Sequence, residues 1–223
     1  MDINIVILVA LVLANFCAVI ALSRMGKLWS IFLLPLLLIL GGIFSAKWLL
    51  FAGININVGN VFYATTFIVL HILIEQGKKK EAIRAIWASA GLFAYFGVVT
   101  YLAIKLSPVA AGAISNDALR VVFSTTIRGT MASIFAFILA QYSNVWIYEA
   151  LMRRHRGRLM LVRSSVAIIA GQFIDSILFF SVAFYEVLPL ETLLWAALTG
   201  FAVKSIIGLV GSPLLYVERK LRA

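Results

Sequence analysis

Charged side chains are scarce in this sequence of 223 residues: only 13% are Asp, Glu, Lys or Arg, whereas 63% are hydrophobic and the mean hydropathy is +1.06. A soluble domain of this length needs far more polar surface, so the scarcity argues against a water-soluble fold. The composition is instead typical of a polytopic membrane protein.

Cysteine and the common catalytic motifs are also nearly absent. Cys17 is the single cysteine, which excludes a disulfide framework within the chain, and a lone cysteine is not a metal site. The sequence has no HExxH, GxSxG or CxxC motif and no glycine-rich phosphate loop. We therefore predict no cofactor and no metal, and an intramembrane enzyme is the least favoured of the function classes left open.

Long apolar runs dominate what is present. Windows of about 20 residues, the length that crosses about 30 Å of hydrocarbon, predict seven membrane helices. Their approximate limits are Ile3–Leu22, Leu28–Leu50, Val58–Ile74, Ala82–Leu106, Val121–Leu151, Leu161–Tyr185 and Thr192–Val217. No basic residue precedes the first run, so we expect a retained helix and not a signal peptide. The predicted fold is an all-α helix bundle that forms one integral membrane domain over residues 1–223.

Basic residues cluster in every second connection between the predicted helices. They are Arg24 and Lys27; Lys78, Lys79, Lys80 and Arg84; Arg153, Arg154, Arg156 and Arg158; and Arg219, Lys220 and Arg222. The positive-inside rule predicts that these connections are cytoplasmic, with the N-terminus outside and the C-terminus inside. The formal net charge of +10 therefore indicates orientation in the cell membrane against anionic lipid headgroups, and we predict no nucleic-acid partner.

Two predicted helices each carry a glutamine followed three residues later by an amide or an acid. The pairs are Gln141 with Asn144 and Gln172 with Asp175, and a spacing of three places both members on one helix face. Asp175 lies about 18 Å along its helix from Arg163, so it is expected near the middle of the membrane. A carboxylate there costs about 2.5–3.5 kcal/mol on insertion scales and normally faces a bundle interior. We predict a binding site between helices, with hydrogen bonding between helices as the alternative for the amides.

Lys204 interrupts a face of small residues in the last predicted helix. Gly200, Gly208 and Ser212 lie four or eight residues from it, and such a face allows close helix approach. Lys204 is interpreted either as a partner or substrate contact near Asp175, or as half of a structural ion pair.

Other polar residues near the predicted helix ends are given structural roles. His71 and Glu75 are four residues apart and could form a proton relay or half a metal site. The favoured interpretation is a packed His71 and a Glu75 that contacts Lys78 to Lys80. Lys47, Arg128 and Arg163 lie close enough to predicted ends for their side chains to reach the membrane surface.

Several motifs occur in an order that resembles the queuosine-precursor transporter family, also called VUT or vitamin uptake transporters. Over about Ala46 to Tyr216 they are Lys47, Val58-Gly59-Asn60-Val61-Phe62-Tyr63, Glu75-Gln76-Gly77-Lys78-Lys79, Arg128 with Ala132-Ser133, Gln141-Tyr142, Arg163, Gln172 with Asp175, and Lys204 with Pro213. The sequence departs from the family pattern at three places. His71 and Asn144 stand where aspartates are common in the family, and Ala167-Ile168 replace a frequent Ser-Thr.

The resemblance implies uptake of a 7-deazaguanine-type base, a queuosine or archaeosine precursor, through a site between helices. The residues expected to bind this small molecule are Asp175, Gln172, Gln141, Asn144, Lys204, Asn60 and Arg128. Asp175 is expected to accept the N–H groups of the base while Phe or Trp side chains stack on its face. The alternative is a substrate-binding membrane subunit of a vitamin importer that needs partner subunits. A homo-oligomer also stays open.

Overall fold

The chain folds into a bundle of α-helices with one small β-hairpin. The computed structural model describes residues 3–51, 53–77, 79–106, 115–123 and 127–222. In chain order the elements are α1 (Ile3–Arg24), α2 (Lys27–Ile43), a 3₁₀ turn (Phe44–Ala46), β1 (Trp48–Phe51), β2 (Ile54–Asn57), α3 (Gly59–Glu75), α4 (Lys79–Lys105), α5 (Asn116–Phe123), α6 (Ile127–Arg154), α7 (Met160–Phe184), α8 (Leu190–Gly211) and α9 (Leu214–Arg222).

Six of the described helical segments are long and apolar enough to cross a membrane. The segment that corresponds to the third predicted span, α3, has 17 residues and is shorter than the others. Every residue of α3 from Ala64 to Ile74 is buried, because α1, α2, α4, α6, α7, α8 and α9 all contact it. The chain is therefore an all-α polytopic membrane bundle that is built around a short central helix.

The structure corrects two predicted spans. The second was predicted to reach Leu50, but α2 ends at Ile43 and residues 48–57 form an antiparallel hairpin in which Trp48 pairs with Asn57. Ile and Asn alternate from 54 to 57 and Gly53 has φ +78°, a conformation that suits a tight turn. The fifth was predicted from Val121, but residues 116–123 form the separate helix α5 and α6 begins at Ile127.

Ion pairs and hydrogen bonds tie the basic connections together at one end of the bundle. Lys27 at the start of α2 lies 3.5 Å from Glu81 in α4, and Lys79 at the start of α4 pairs with Glu149 near the end of α6. Gln76 after α3 donates to Glu218 of α9 at 3.1 Å. We call this end, where these side chains lie, the basic end. The common location agrees with the predicted alternation of the loops, whereas the side of the membrane stays a prediction.

Small residues allow the helices around α3 to approach closely. Ala132, Ala136 and Ala140 of α6 are fully buried. At Gly171 of α7, an added Cβ would lie 3.2 Å from both the Ala140 carbonyl oxygen and the Asn144 Cβ. α6 and α7 therefore pack nearly backbone to backbone beside their polar side chains.

Gly59 is expected to be intolerant of a side chain. A Cβ there would overlap the carbonyl oxygen of Gly41 and lie 2.9 Å from Asn57 Oδ1, so Gly59→Ala should destabilise the α2–α3 contact by about 1–3 kcal/mol. Gly91→Ala is the matched control, because a Cβ at Gly91 would meet nothing within 4 Å. Thermal unfolding in mild detergent compares them, and equal melting temperatures would contradict the close α2–α3 contact.

Candidate functional site

A buried carboxylate anchors the candidate site. Asp175 of α7 accepts hydrogen bonds from the Tyr63 hydroxyl of α3 at Oδ1 and from the Lys204 ammonium of α8 at Oδ2. Asp175 and Lys204 are each only 5% exposed, and Lys204 Nζ lies 5.4 Å from the centroid of the Tyr63 ring. The two charges neutralise each other inside the bundle, which makes their burial tolerable.

Lys204 reaches Asp175 because its helix face is made of small residues. Added Cβ atoms at Gly200 and Gly208 would lie 3.1 Å from Phe180 and 2.8 Å from Ile168 of α7 respectively. α8 therefore lies close against α7 on both sides of Lys204. This contact holds the ammonium beside the carboxylate.

Three buried polar side chains close to Asp175 or Lys204 in sequence have no hydrogen-bond partner among the described residues. Gln172 is fully buried, and both its Nε2 and its Oε1 are unpaired. Ser176 Oγ and Ser205 Oγ, which follow Asp175 and Lys204 in sequence, are unpaired too. Leaving a buried polar group without a partner costs about 1–3 kcal/mol, so the unpaired amide of Gln172, one turn from Asp175 on the same face of α7, is typical of a site that binds a polar ligand.

The second polar pair, Gln141 and Asn144, lies in a different hydrogen-bonded chain. Asn144 Nδ2 donates to Gln141 Oε1 at 3.3 Å, and Gln141 Nε2 donates to Thr66 Oγ1 at 2.6 Å. Thr66 in turn donates to the carbonyl oxygen of Tyr63 at 2.6 Å. We call Asn144, Gln141 and Thr66 the amide relay. The relay reaches Tyr63, which belongs with Asp175 and Lys204 to what we call the Asp175 cluster. The relay helix α6 also packs against Gly171 of α7, the residue before Gln172.

His71 closes the amide relay at its other end. Its Nε2 lies 2.8 Å from Asn144 Oδ1, and its Nδ1 lies 3.0 Å from Ser164 Oγ, which is 3.0 Å from Ser212 Oγ. The imidazole also stacks on Tyr148 with ring centroids 4.0 Å apart. Among the described residues, no group of three or more His, Cys, Asp and Glu is arranged to hold a metal ion.

A second buried ion pair lies toward the basic end. Arg163 of α7 is 1% exposed and pairs with Glu75 of α3, while the Tyr148 hydroxyl donates to Glu75 Oε1 at 2.8 Å. Arg163 also donates to the Arg158 carbonyl oxygen at 3.0 Å. The prediction that Arg163 reaches the membrane surface is therefore wrong, and in the described part of the chain Glu75 pairs with Arg163 and not with a lysine that follows α3. Lys79 pairs with Glu149 instead, and Lys78 lies outside the described residues.

Two further predicted site residues are not among the residues that hydrogen-bond to Asp175 in the described structure. Asn60 is partly buried and lies one turn before Tyr63 on the same face of α3. Arg128 is exposed, and its guanidinium donates to the carbonyl oxygens of Val182 at 2.6 Å and Tyr185 at 2.7 Å. Arg128 thus satisfies the C-terminal carbonyls of α7, about 10 Å along that helix from Asp175.

The aromatic wall beside the carboxylate is made by Tyr63, Phe67 and Phe137. The Phe67 and Phe137 ring centroids lie 6.0 and 6.3 Å from that of Tyr63. All five tryptophans are at least 45% exposed, so the structure favours no tryptophan for stacking at this site.

Sequence reasoning missed Tyr63 and the roles of His71 and Arg163. The spacing of polar residues along α3 could have indicated them. Asn60, Tyr63, His71 and Glu75 share one face of the helix within about 120° of arc. These residues of α3 run from the Asp175 cluster to the basic end, and we call them, with the polar side chains of α6, α7 and α8 that contact them, the polar column.

Comparisons with known proteins agree with this architecture. A family model described as "Putative vitamin uptake transporter" matches residues 57–218. A "Probable queuosine precursor transporter" of Bacillus subtilis (strain 168) is 28% identical over 170 residues, which cover 76% of this chain and 74% of the relative. No solved structure matches the chain. The matched region contains the whole polar column and excludes α1 and α2.

Proposed function

Because the chain belongs to the vitamin uptake transporter family, we propose that it imports a queuosine or archaeosine precursor, a 7-deazaguanine-type base, across the cell membrane. The transported base binds between helices at Asp175, and the whole chain works as one integral domain. The substrate class comes from the name of the relative together with the chemistry of the buried cluster.

The observation that carries the proposal is a buried carboxylate beside an unpaired amide. An ionised carboxylate can accept about four hydrogen bonds, and Asp175 uses one on each oxygen for Tyr63 and Lys204. One further acceptor position on each oxygen suits a ligand with two adjacent N–H donors. Gln172 lies one turn away on the same face of α7, with its donor and its acceptor both unpaired among the described residues.

A 7-deazaguanine offers the complementary edge. Its ring N–H and exocyclic amino group are adjacent donors that suit the two oxygens of Asp175, and the neighbouring carbonyl suits the N–H of Gln172. Gln141 and Asn144 complete the polar surroundings, and Tyr63, Phe67 or Phe137 contact the ring face. Lys204 keeps the site neutral overall, which favours a neutral base over an anion.

Transport requires this buried site to open alternately to the two sides of the membrane. Asp175 and Lys204 are nearly inaccessible, and the Glu75–Arg163 pair lies between them and the basic end. Passage of a base therefore requires α3 and α7 to separate at one end at a time, as in transporters with a binding site at mid-membrane.

Uptake by purified protein in liposomes tests the proposal. We expect accumulation of radiolabelled 7-deazaguanine, competition by unlabelled 7-deazaguanine, and no competition by 7-deazaadenine, which lacks the donor pair next to a carbonyl. Binding without uptake would favour the alternative of a subunit that needs partners. A chemically changed product would indicate an enzyme. If the protein neither binds nor takes up any deazapurine, the proposed substrate class is overturned.

A further inference from the structure

We propose that His71 is a positioning residue: its neutral Nε2–H tautomer fixes which way the amides of Asn144 and Gln141 point, and so sets the hydrogen-bonding pattern that the site offers. The part that concerns substrate choice rests on the proposed function. The part that concerns the tautomer follows from counting donors and acceptors along the amide relay.

The hydrogen bonds at the Thr66 end of the relay show its direction. The single hydroxyl proton of Thr66 is donated to the Tyr63 carbonyl oxygen at 2.6 Å, so Thr66 Oγ1 can only accept from Gln141. The group of Gln141 that faces Thr66 is therefore its Nε2, at 2.6 Å, and its Oε1 is left to accept from Asn144. This turns Asn144 Oδ1 toward His71.

The His71 end must then supply a proton. Asn144 Oδ1 is only an acceptor, so His71 Nε2, at 2.8 Å, has to carry hydrogen. On the opposite side of the ring Nδ1 accepts from Ser164, and Ser164 accepts from Ser212, whose hydroxyl lies 3.0 Å from Ser164 Oγ and 3.2 Å from the carbonyl oxygen of Gly208. With the Ser212 proton directed to the nearer Ser164, every group from Ser164 to Tyr63 is satisfied with a neutral imidazole.

The surroundings of His71 favour this neutral form. The ring is fully buried and stacks on Tyr148 of α6. Arg163 of α7 lies against the same Tyr148 ring, with its guanidinium carbon 5.2 Å from the ring centroid, and Glu75, four residues after His71 on α3, is already paired with Arg163. A second buried cation beside Arg163 would lack a counter-ion.

Side-chain replacements separate positioning from packing. In His71→Gln the side-chain amide still donates toward Asn144, so the relay keeps its direction. In His71→Met the volume is similar but the donor is lost. Asn144 and Gln141 are then held only from the Thr66 end, and they can reverse if the Thr66 hydroxyl rotates to donate to Gln141. We expect His71→Gln to keep the preference for 7-deazaguanine over 7-deazaadenine and His71→Met to reduce that preference at least about tenfold.

Histidine nitrogen NMR tests the tautomer without any ligand, because the chain has only two histidines. In His155→Gln protein labelled with ¹⁵N-histidine, we expect His71 to have one protonated nitrogen, Nε2, from about pH 6 to about pH 8. Protonation of Nδ1 alone, or of both nitrogens, would overturn the inference.

The two measurements also separate this inference from the proposed function. If His71 shows the expected tautomer but the protein binds no deazapurine, the positioning of the amides is supported and the proposed substrate is overturned. Binding of 7-deazaguanine with unchanged selectivity in His71→Met would support the substrate and overturn the role of His71.

Discussion

Replacing Asp175 with asparagine is expected to abolish measurable uptake of a 7-deazaguanine-type base. The carboxylate would be replaced by a neutral amide with one acceptor oxygen, so both charge-assisted hydrogen bonds to the base would be lost. Each contributes about 1.5–3 kcal/mol, and a loss of 1.4 kcal/mol is tenfold in affinity, so binding should weaken by about 100-fold or more. Initial uptake rates in proteoliposomes measure the effect.

A charge-balanced variant separates loss of binding from loss of folding. Asp175→Asn alone leaves the ammonium of Lys204 buried without a counter-ion, which is itself destabilising. In Asp175→Asn/Lys204→Met both charges are gone, so we expect the melting temperature to recover toward that of the native chain while uptake stays absent. Native uptake by this folded double variant would contradict the assignment of Asp175 as the residue that reads the base.

Replacing Arg163 with methionine is expected to lower the free energy of unfolding by about 3–5 kcal/mol. Arg163 is 1% exposed and is the cationic partner of Glu75. Its removal leaves a nearly buried carboxylate for which the Tyr148 hydroxyl is the one remaining donor among the described residues. Unfolding of the purified protein by increasing SDS in mixed micelles measures the change.

Two further variants give this prediction its control. Arg163→Met/Glu75→Gln removes the unpaired charge and should recover most of the lost stability. Arg153→Met breaks a pair whose arginine side chain is 76% exposed, and such pairs contribute about 0–1 kcal/mol. Equal losses for Arg153→Met and Arg163→Met would show that burial of the Glu75–Arg163 pair is not the stabilising feature.

The sequence alone singles out both members of the buried ion pair because polar groups are rare in membrane helices. Asp175 stood out as a carboxylate about 18 Å into an apolar helix, and Lys204 as a cation on a face of small residues. The structure brings these two residues together. The two glutamines differ in their contacts. Gln141 hydrogen-bonds to Thr66, whereas the side chain of Gln172 has no partner among the described residues.

The burial of Arg163 and the hairpin after α2 could not be predicted from the sequence, because both depend on which residues pack around the end of a helix. Arg163 lies only three residues into α7, a position from which arginine normally reaches the surface. Glu75 and Tyr148 surround that turn of α7, and the guanidinium is buried between them. Similarly, Trp48 to Leu50 continue an apolar run, so composition could not distinguish a strand of the hairpin from the end of α2.

Equilibrium binding of 7-deazaguanine to the purified, detergent-solubilised protein tests the central claim most directly, with the native chain and Asp175→Asn/Lys204→Met measured side by side. We expect saturable binding to the native chain, competition by guanine-type bases only, and affinity at least about 100-fold weaker in the double variant. Equal affinity of both proteins for the base, with the double variant folded, would contradict that claim.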